Sequence, residues 1–487
     1  MPTTRPRKGE LLDVPLLLDP AAGSQSSQVH AGLRAAILGG RLAAGLRLPS
    51  SRALAAQLGL RRNAVVTAYE QLLSDGLAEA RTGAGTYVAA QVPRGPAAAA
   101  PLPAPLPAAT RKPFAIGQTH VDAELRNRLG RALRRRLATA GPLELGYGDP
   151  RGDEEIRAAI AGHLAATRGV TCDPGCILVT SGTQQALRLC AEALLRPGDS
   201  VWMEDPGYPS ARRIFEAIGA RPVPIPVDAA GLDAEEGRRR AATARAAYVT
   251  PSHQFPTGVA MSMARRIALL DWAREAEAWV LEDDYDSEFR YAGPPLTALA
   301  GIDGHGRVIY IGTFSKTLFA GLRLGFVVLP PALLARITAA RAVSDRFPPA
   351  LLGGAVAELI SEGGFAAHIR RMRSRYRAAR DLVAETLTHA SGGLLRVAIP
   401  GQGLHLLALL PPGLPPGAAP QIRAAAGIEA WLLSETRMVQ AEPDGFVLGF
   451  SGYALPALKR AAERLGEAVR QHCRNAGPGV AEARPRE

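Results

Sequence analysis

The hydrophobic positions along this chain change rhythm twice. Over residues 25–90 apolar side chains recur at helical spacing, and beyond residue 113 short apolar runs alternate with helical stretches. Between them lies a stretch with no rhythm. In the first region Val29, Leu33, Ala36 and Ile37 share one face of a predicted helix over 25–39, which Gly39-Gly40 stop. Ser50-Ser51 cap a short helix over 52–59, with Leu54, Ala55 and Leu58 inward and Gly59 as its break. A third helix runs from about Arg61 to Asp75, burying Val65, Ala68, Tyr69 and Leu72. After Gly76, LAEARTGAGTYVA reads as a small hairpin around a Gly-Ala-Gly turn. Two helices joined by a tight glycine-containing turn, followed by a hairpin, make a helix-turn-helix with a wing, or equally a small helical interaction module.

The unrhythmic stretch, 91–112, is rich in Pro and Ala and predicts a polyproline-like linker; residues 1–24 form an N-terminal arm. From 113 to 487 the apolar runs CILVTS (176–181), SVWMED (200–205), AAYVTP (246–251), WVLEDD (279–284), RVIYIG (307–312) and GFVVLP (325–330) alternate with helical patterns. That alternation predicts a large α/β body with a mostly parallel sheet, which binds ligands at the carboxyl ends of its strands. A smaller α+β part is expected at the C-terminal end.

Composition changes the picture in three ways. At 487 residues, 47% hydrophobic and 21% charged, the chain has material for more than one core. No apolar run approaches a membrane span, the N-terminal apolar patch is broken by Asp13, Pro15 and Asp19, and the cysteines Cys172, Cys176, Cys190 and Cys473 lack a zinc or disulfide spacing. A cytoplasmic protein with free thiols and no metal is expected. The net charge of +12 is concentrated toward the start, residues 1–112 carrying +7, which suits a nucleic-acid partner or reflects arginine-rich composition. Finally, only four of the 57 basic side chains are lysines, and one of them, Lys316, sits in the middle of the body. Lysine can lose its proton and attack a carbonyl, whereas guanidinium cannot.

Four predicted strand ends carry unusual residues. Gly182-Thr183 opens a helix whose amides can cradle a phosphate. Glu282-Asp283-Asp284-Tyr285 is a carboxylate cluster that needs a cationic partner if buried; a solvated loop or a magnesium site are the alternatives. Ser315-Lys316 follows the run RVIYIG, and Arg323 lies seven residues on. An aldehyde for Lys316, a cation for Asp283 and a phosphate for Ser315, Arg323, Gly182 and Thr183 together describe pyridoxal phosphate. Lys316 would hold it as a Schiff base (an aldimine), Tyr285 would reach the ring hydroxyl, and Tyr208 would stack on the ring.

Two resemblances add to this reading. LPSSRALAAQLGLRRNAVVTAYEQLLSDGLAEARTGAGTYV resembles the winged helix-turn-helix of GntR-family regulators. The resemblance implies contacts to double-stranded DNA from Arg52, Arg61, Arg62, Asn63, Thr67 and the wing glycines Gly83 and Gly85. Asn63-Ala64-Val65 departs from the family's usual wording at the recognition helix. The body resembles fold-type I aminotransferases at YGDPRGDEEIR (147–157), TSGTQQAL (180–187), EDPGYP (204–209), PSHQFPTG (251–258), EDDYDSEFR (282–290) and TFSKTLFAGLRLG (313–325). Together the halves are similar to MocR/GabR-type regulators, which implies a head-to-tail homodimer and a small amine or amino-acid effector, or pyridoxal phosphate itself, sensed at Lys316. An active aminotransferase with an appended head is the alternative. Two departures bear on the effector. Phe255 stands where such enzymes carry a cofactor-contacting asparagine, and DGFVLGFSGY (444–453) has Val447 and no carboxylate-gripping arginine, so that either another arginine serves or the effector is not an ordinary α-amino acid.

Overall fold

The computed structural model describes residues 23–92 and 112–476, with Leu12, Val14, Leu16, Leu18 and Asp19. The chain divides into two compact units, 1–108 and 109–487. The predicted linker 91–112 and N-terminal arm 1–24 fall mostly outside the described residues.

In the first unit, α1 (Gln25–Leu38), α2 (Ser51–Leu58) and α3 (Arg62–Ser74) precede a hairpin of β1 (Ala78–Arg81) and β2 (Gly85–Val88). Helix α2 begins one residue earlier than predicted, because Ser50 alone is its cap, its side chain accepting from Ala53 N. Gly59 takes a left-handed conformation (φ 67°), which lets the chain reverse into α3 without the steric cost a Cβ would bring. All four predicted inward residues of α1 and of α3 are buried, and Leu58 is partly buried against the same core. Leu12 and Val14, assigned from sequence to an arm, are buried in this core as well, with Leu12 hydrogen-bonded in both directions to the Gln57 side chain. That part of the arm therefore belongs to the head, because its apolar side chains have an open core edge to cover.

In the second unit, β3 (Ile177–Thr180), β4 (Ser200–Asp205), β5 (Arg221–Asp228), β6 (Gly231–Leu232), β7 (Ala246–Val249), β8 (Trp279–Asp284), β9 (Val308–Thr313) and β10 (Gly325–Val328) form one sheet of order β3-β10-β9-β8-β7-β4-β5-β6. Strands β5, β4, β7, β8 and β9 run parallel to one another; β10 is antiparallel to both β3 and β9. Side chains alternate between faces: Ile309 and Ile311 of β9 pack with Leu187 and Phe215 of one helical layer, while Tyr310 packs with Ile160 and Leu164 of the other. Trp202 of β4 stacks on Trp272 at 3.6 Å between centroids. A second sheet, β11 (Arg396–Ala398), β12 (His405–Leu409), β13 (Trp431–Leu432) and β14 (Gly445–Gly449), is wholly antiparallel and is flanked by the helices Gly364–Ala390 and Leu455–Ala476. Among the described residues no single helix is long and apolar enough to cross a membrane.

Candidate functional site

The carboxyl ends of β7, β8 and β9 open on a cavity of about 270 Å³. Its lining includes all eight residues singled out for a ligand: Gly182, Thr183, Tyr208, Asp283, Tyr285, Ser315, Lys316 and Arg323.

The three consecutive carboxylates of β8 have three different surroundings. Glu282 is buried and accepts from the backbone N–H of Leu299 and Ala300, each at 2.8 Å. Asp284 is paired with the buried Arg168 at 2.7 Å and accepts from Tyr310 Oη. Neither a solvated loop nor one shared ion site describes this cluster, since all three are buried and each has its own partners. Only Asp283 lines the cavity. Its Oδ2 accepts from Tyr248 Oη at 2.7 Å, and its Oδ1 is buried without a partner. Burial pushes Asp283 up to about 7, with the Tyr248 hydrogen bond opposing.

Lys316 follows β9 in a one-turn helix, Phe314–Thr317, whose start is fixed by Thr313 Oγ1 accepting from Ser315 N at 3.1 Å. Burial lowers the Lys316 pKa, while Asp286 and Asp283 oppose that shift. A lowered lysine pKa enlarges the neutral, nucleophilic fraction of the amine. Tyr285 Oη lies 3.0 Å from the His253 carbonyl and 3.1 Å from His253 Nδ1, and Asp286 pairs with the same Nδ1 at 3.0 Å.

Opposite the lysine, Gly182 adopts φ 118°, ψ 178°, a region open in practice only to glycine. It caps helix Thr183–Leu194 with no side-chain partner, which leaves helix N-terminal amides facing the cavity. Ser315 Oγ and an Arg323 guanidinium nitrogen both lie within 4.0 Å of where a Gly182 Cβ would stand. Arg323 itself holds a left-handed backbone (φ 52°), a strained conformation for a non-glycine residue.

Some site residues carried no readable signal. Tyr248 lies in the apolar run AAYV and reads as core; it meets Asp283 only because β7 and β8 pair in parallel, with Tyr248 opposite Leu281. Trp431 and Ile116 complete the lining from distant parts of the chain. Gly117, next to Ile116, has φ 85°, and a Cβ there would stand 2.6 Å from Lys316 Nζ. Gly117→Ala is expected to lower stability by about 1–2 kcal/mol, the cost of a Cβ in left-handed backbone, and to displace the amine. Chemical denaturation and cofactor loading check the two effects.

In the first unit Arg52, Arg61, Arg62, Asn63, Thr67, Gly83 and Gly85 are all exposed. Arg61 is the residue before α3, which has no side-chain cap, so its first amides are open to an anion. Arg47, not singled out from sequence, lies beside the wing: its Nε is 3.3 Å from a Cβ position at Gly85.

The cavity fits pyridoxal phosphate on its own chemistry. An unpartnered carboxylate oxygen would suit a ring N–H, a glycine-lined helix start with Ser315 and Arg323 would suit a phosphate, and a lysine amine would suit an aldehyde. Comparisons with known proteins agree. The aminotransferase class I and II family matches residues 113–432, and the gntR family of bacterial regulatory proteins matches 25–88. The chain is 36% identical to the probable rhizopine catabolism regulatory protein MocR of Rhizobium meliloti, over 87% of this chain and 90% of that protein. It is 31% identical to the pyridoxine biosynthesis transcriptional regulator PdxR of Corynebacterium glutamicum, over 94% and 99%. The body superposes on LysN, the α-aminoadipate aminotransferase of Thermus thermophilus complexed with N-(5′-phosphopyridoxyl)-L-leucine, with a TM-score of 0.68 at 27% identity, covering 74% of this chain and 92% of that one. The chain thus belongs to the MocR/GabR-type regulators, in which a GntR-family winged helix-turn-helix is joined to a pyridoxal-phosphate-dependent aminotransferase class I and II body.

Proposed function

We propose that the protein is a cytoplasmic, homodimeric regulator that binds double-stranded operator DNA, and that an amine acting at Lys316 sets its operator affinity. The convergence of Lys316, Asp283 and the Gly182–Ser315–Arg323 cradle on one cavity carries this reading. The cofactor, when bound, supplies an aldehyde carbon and an electron-poor ring. Asp283 would hold the protonated ring nitrogen, Tyr285 the ring oxygen, Tyr208 the ring face, and Thr183, Ser315 and Arg323 the phosphate. Lys316 Nζ would be the amine that competes with an incoming ligand for the aldehyde carbon. Lys316 Nζ would leave as a free amine by taking up the protons that the incoming amine gives up, so that neither water nor an oxidant would be needed. Linkage requires the ligand to favour one state of the protein over the other.

The homodimer is what the family resemblance implies, and Tyr147 and Val343, 80% and 89% exposed, are large apolar side chains that such an interface would cover. Tyr147 also meets Phe347 edge-on at 5.8 Å. Four free cysteines suit the cytoplasm.

On the head, Arg61, Arg62 and Asn63 at the start of α3, with Thr67 one turn on, would reach phosphates and base edges, Arg52 a flanking phosphate, and the Gly83 and Gly85 backbone the minor groove. Arg61→Ala with Arg62→Ala is expected to weaken operator binding at least about tenfold and to reduce its salt dependence by about two phosphate contacts. Fluorescence anisotropy against salt concentration checks this; unchanged affinity and slope would move recognition elsewhere. The competing assignment, an active aminotransferase, predicts multiple turnovers of an amino-acid/keto-acid pair and operator binding indifferent to amines.

A further inference from the structure

We infer that the small molecule read by this cavity is a primary amine with an apolar body and no carboxylate. This rests on the reading that an amine acts at Lys316, and it adds the class of that amine.

Beyond the groups that would hold the cofactor, the lining sets Ile116, Phe255, Ala320 and Trp431 beside Gln184, Tyr248, Thr250 and Thr313. Phe255 stands edge-on to Tyr208 at 5.7 Å and to Trp431 at 5.8 Å, and Ile116 packs in the same cluster. Behind Phe255 lie Leu407, Leu433 and Val447, all buried. Val447 stands where the resemblance to aminotransferases implies an arginine. Among the described lining residues the only cations are Lys316 and Arg323, and Arg323 faces the Gly182–Ser315 cradle. Gln184, Tyr248, Thr250 and Thr313 each have a hydrogen bond within the protein: Thr250 Oγ1 donates to Glu204 at 2.6 Å, Gln184 Nε2 to Tyr208 Oη at 3.2 Å and Tyr248 Oη to Asp283 at 2.7 Å, and Thr313 Oγ1 accepts from Ser315 N at 3.1 Å.

A ligand carboxylate against this wall would be a desolvated anion with no partner, while Asp283 and Asp286 stand near Lys316 with charge of the same sign. An apolar group there gains by leaving water and loses nothing by lacking a charge. Phe255 in place of an asparagine and Val447 in place of an arginine then have one explanation. The first enlarges the apolar wall, and the second removes the cation that an amino acid's carboxylate would need.

The test uses the full-length, cofactor-loaded protein and pairs that differ by a carboxylate alone: phenethylamine against phenylalanine, and isoamylamine against leucine. Methylamine and ethanolamine are the controls. The visible spectrum of the bound cofactor reports displacement of Lys316 at equilibrium, without turnover. Each apolar amine is expected to half-saturate at a concentration at least about tenfold below that of its amino acid, and phenethylamine to outcompete both controls. Trp431→Ala should cut the preference for phenethylamine over methylamine by about tenfold, while the visible band of lysine-held cofactor before any amine is added shows that the site is still formed. Amino acids that match or exceed their amines, ethanolamine equal to phenethylamine, or an unaltered preference in Trp431→Ala overturn the ligand class and leave Lys316 chemistry standing. A spectrum silent to every amine, methylamine included, overturns the underlying reading and the ligand class with it.

Discussion

Lys316→Ala is expected to abolish covalent attachment of the cofactor. The visible absorbance of lysine-held cofactor disappears, and borohydride reduction labels no peptide. Lys316→Arg should do the same although it preserves the charge, because guanidinium stays protonated and is a poor nucleophile. The contrast separates a chemical role from an electrostatic one, since a lysine serving only as a counter-charge to Asp283 and Asp286 would be rescued by arginine. The phosphate cradle does not depend on Nζ, so Ser315, Arg323 and the Thr183 amides should still retain some cofactor non-covalently. Residual non-covalent binding in both variants is therefore part of the expectation, whereas a retained covalent label in either would remove Lys316 from the account.

Asp283→Asn is the second large effect. The substitution keeps the shape and the Tyr248 contact but removes the charge that would meet a ring N–H. Losing one member of a buried charge pair costs about 3–5 kcal/mol, so cofactor affinity should fall by roughly a hundredfold or more, measured by equilibrium dialysis or spectral titration. The same residue has a signature in the cofactor-free protein. Its pKa is raised from 3.8 to about 7, so between those values the folded chain holds a proton that the unfolded chain has released. Its contribution to stability is complete below 3.8 and is lost as pH rises to about 7. Across that window the cofactor-free wild type should lose stability relative to Asp283→Asn, with no further divergence above it. Denaturant midpoints at several pH values check the slope; a parallel pair of curves would mean that Asp283 is not buried without a cation.

How much of this was legible depends on how far apart the cooperating residues lie. Ser315, Lys316 and Arg323 stand within one short stretch, and lysine scarcity drew attention to it. Gly182 and Thr183 were legible as a helix start after an apolar run. The carboxylate cluster was legible as a set only. Which member faces the ligand depends on Arg168 and on the amides of Leu299 and Ala300, none of them close in sequence. Tyr248 and Gly117 carried no local signal. One reads as an ordinary strand residue and the other as an ordinary glycine, until strand register and a positive φ give each a neighbour. The reversed direction of β10 was legible in principle, because the link from β9 is short for a parallel crossover. The head was readable almost throughout, since its helices and hairpin are set by neighbours in sequence. The exception was the patch around Leu12 and Val14, whose partner Gln57 is 45 residues away.

The account's central claim is that chemistry at Lys316 is read out on DNA. The direct measurement is operator affinity of the full-length, cofactor-loaded protein with and without a saturating amine, made side by side on wild type and Lys316→Arg. The account predicts a change of about fivefold or more for wild type, the lower end of ordinary allosteric coupling, and none for Lys316→Arg. An equal response in both proteins, or none in wild type whose spectrum shows that the amine has displaced Lys316, would contradict it.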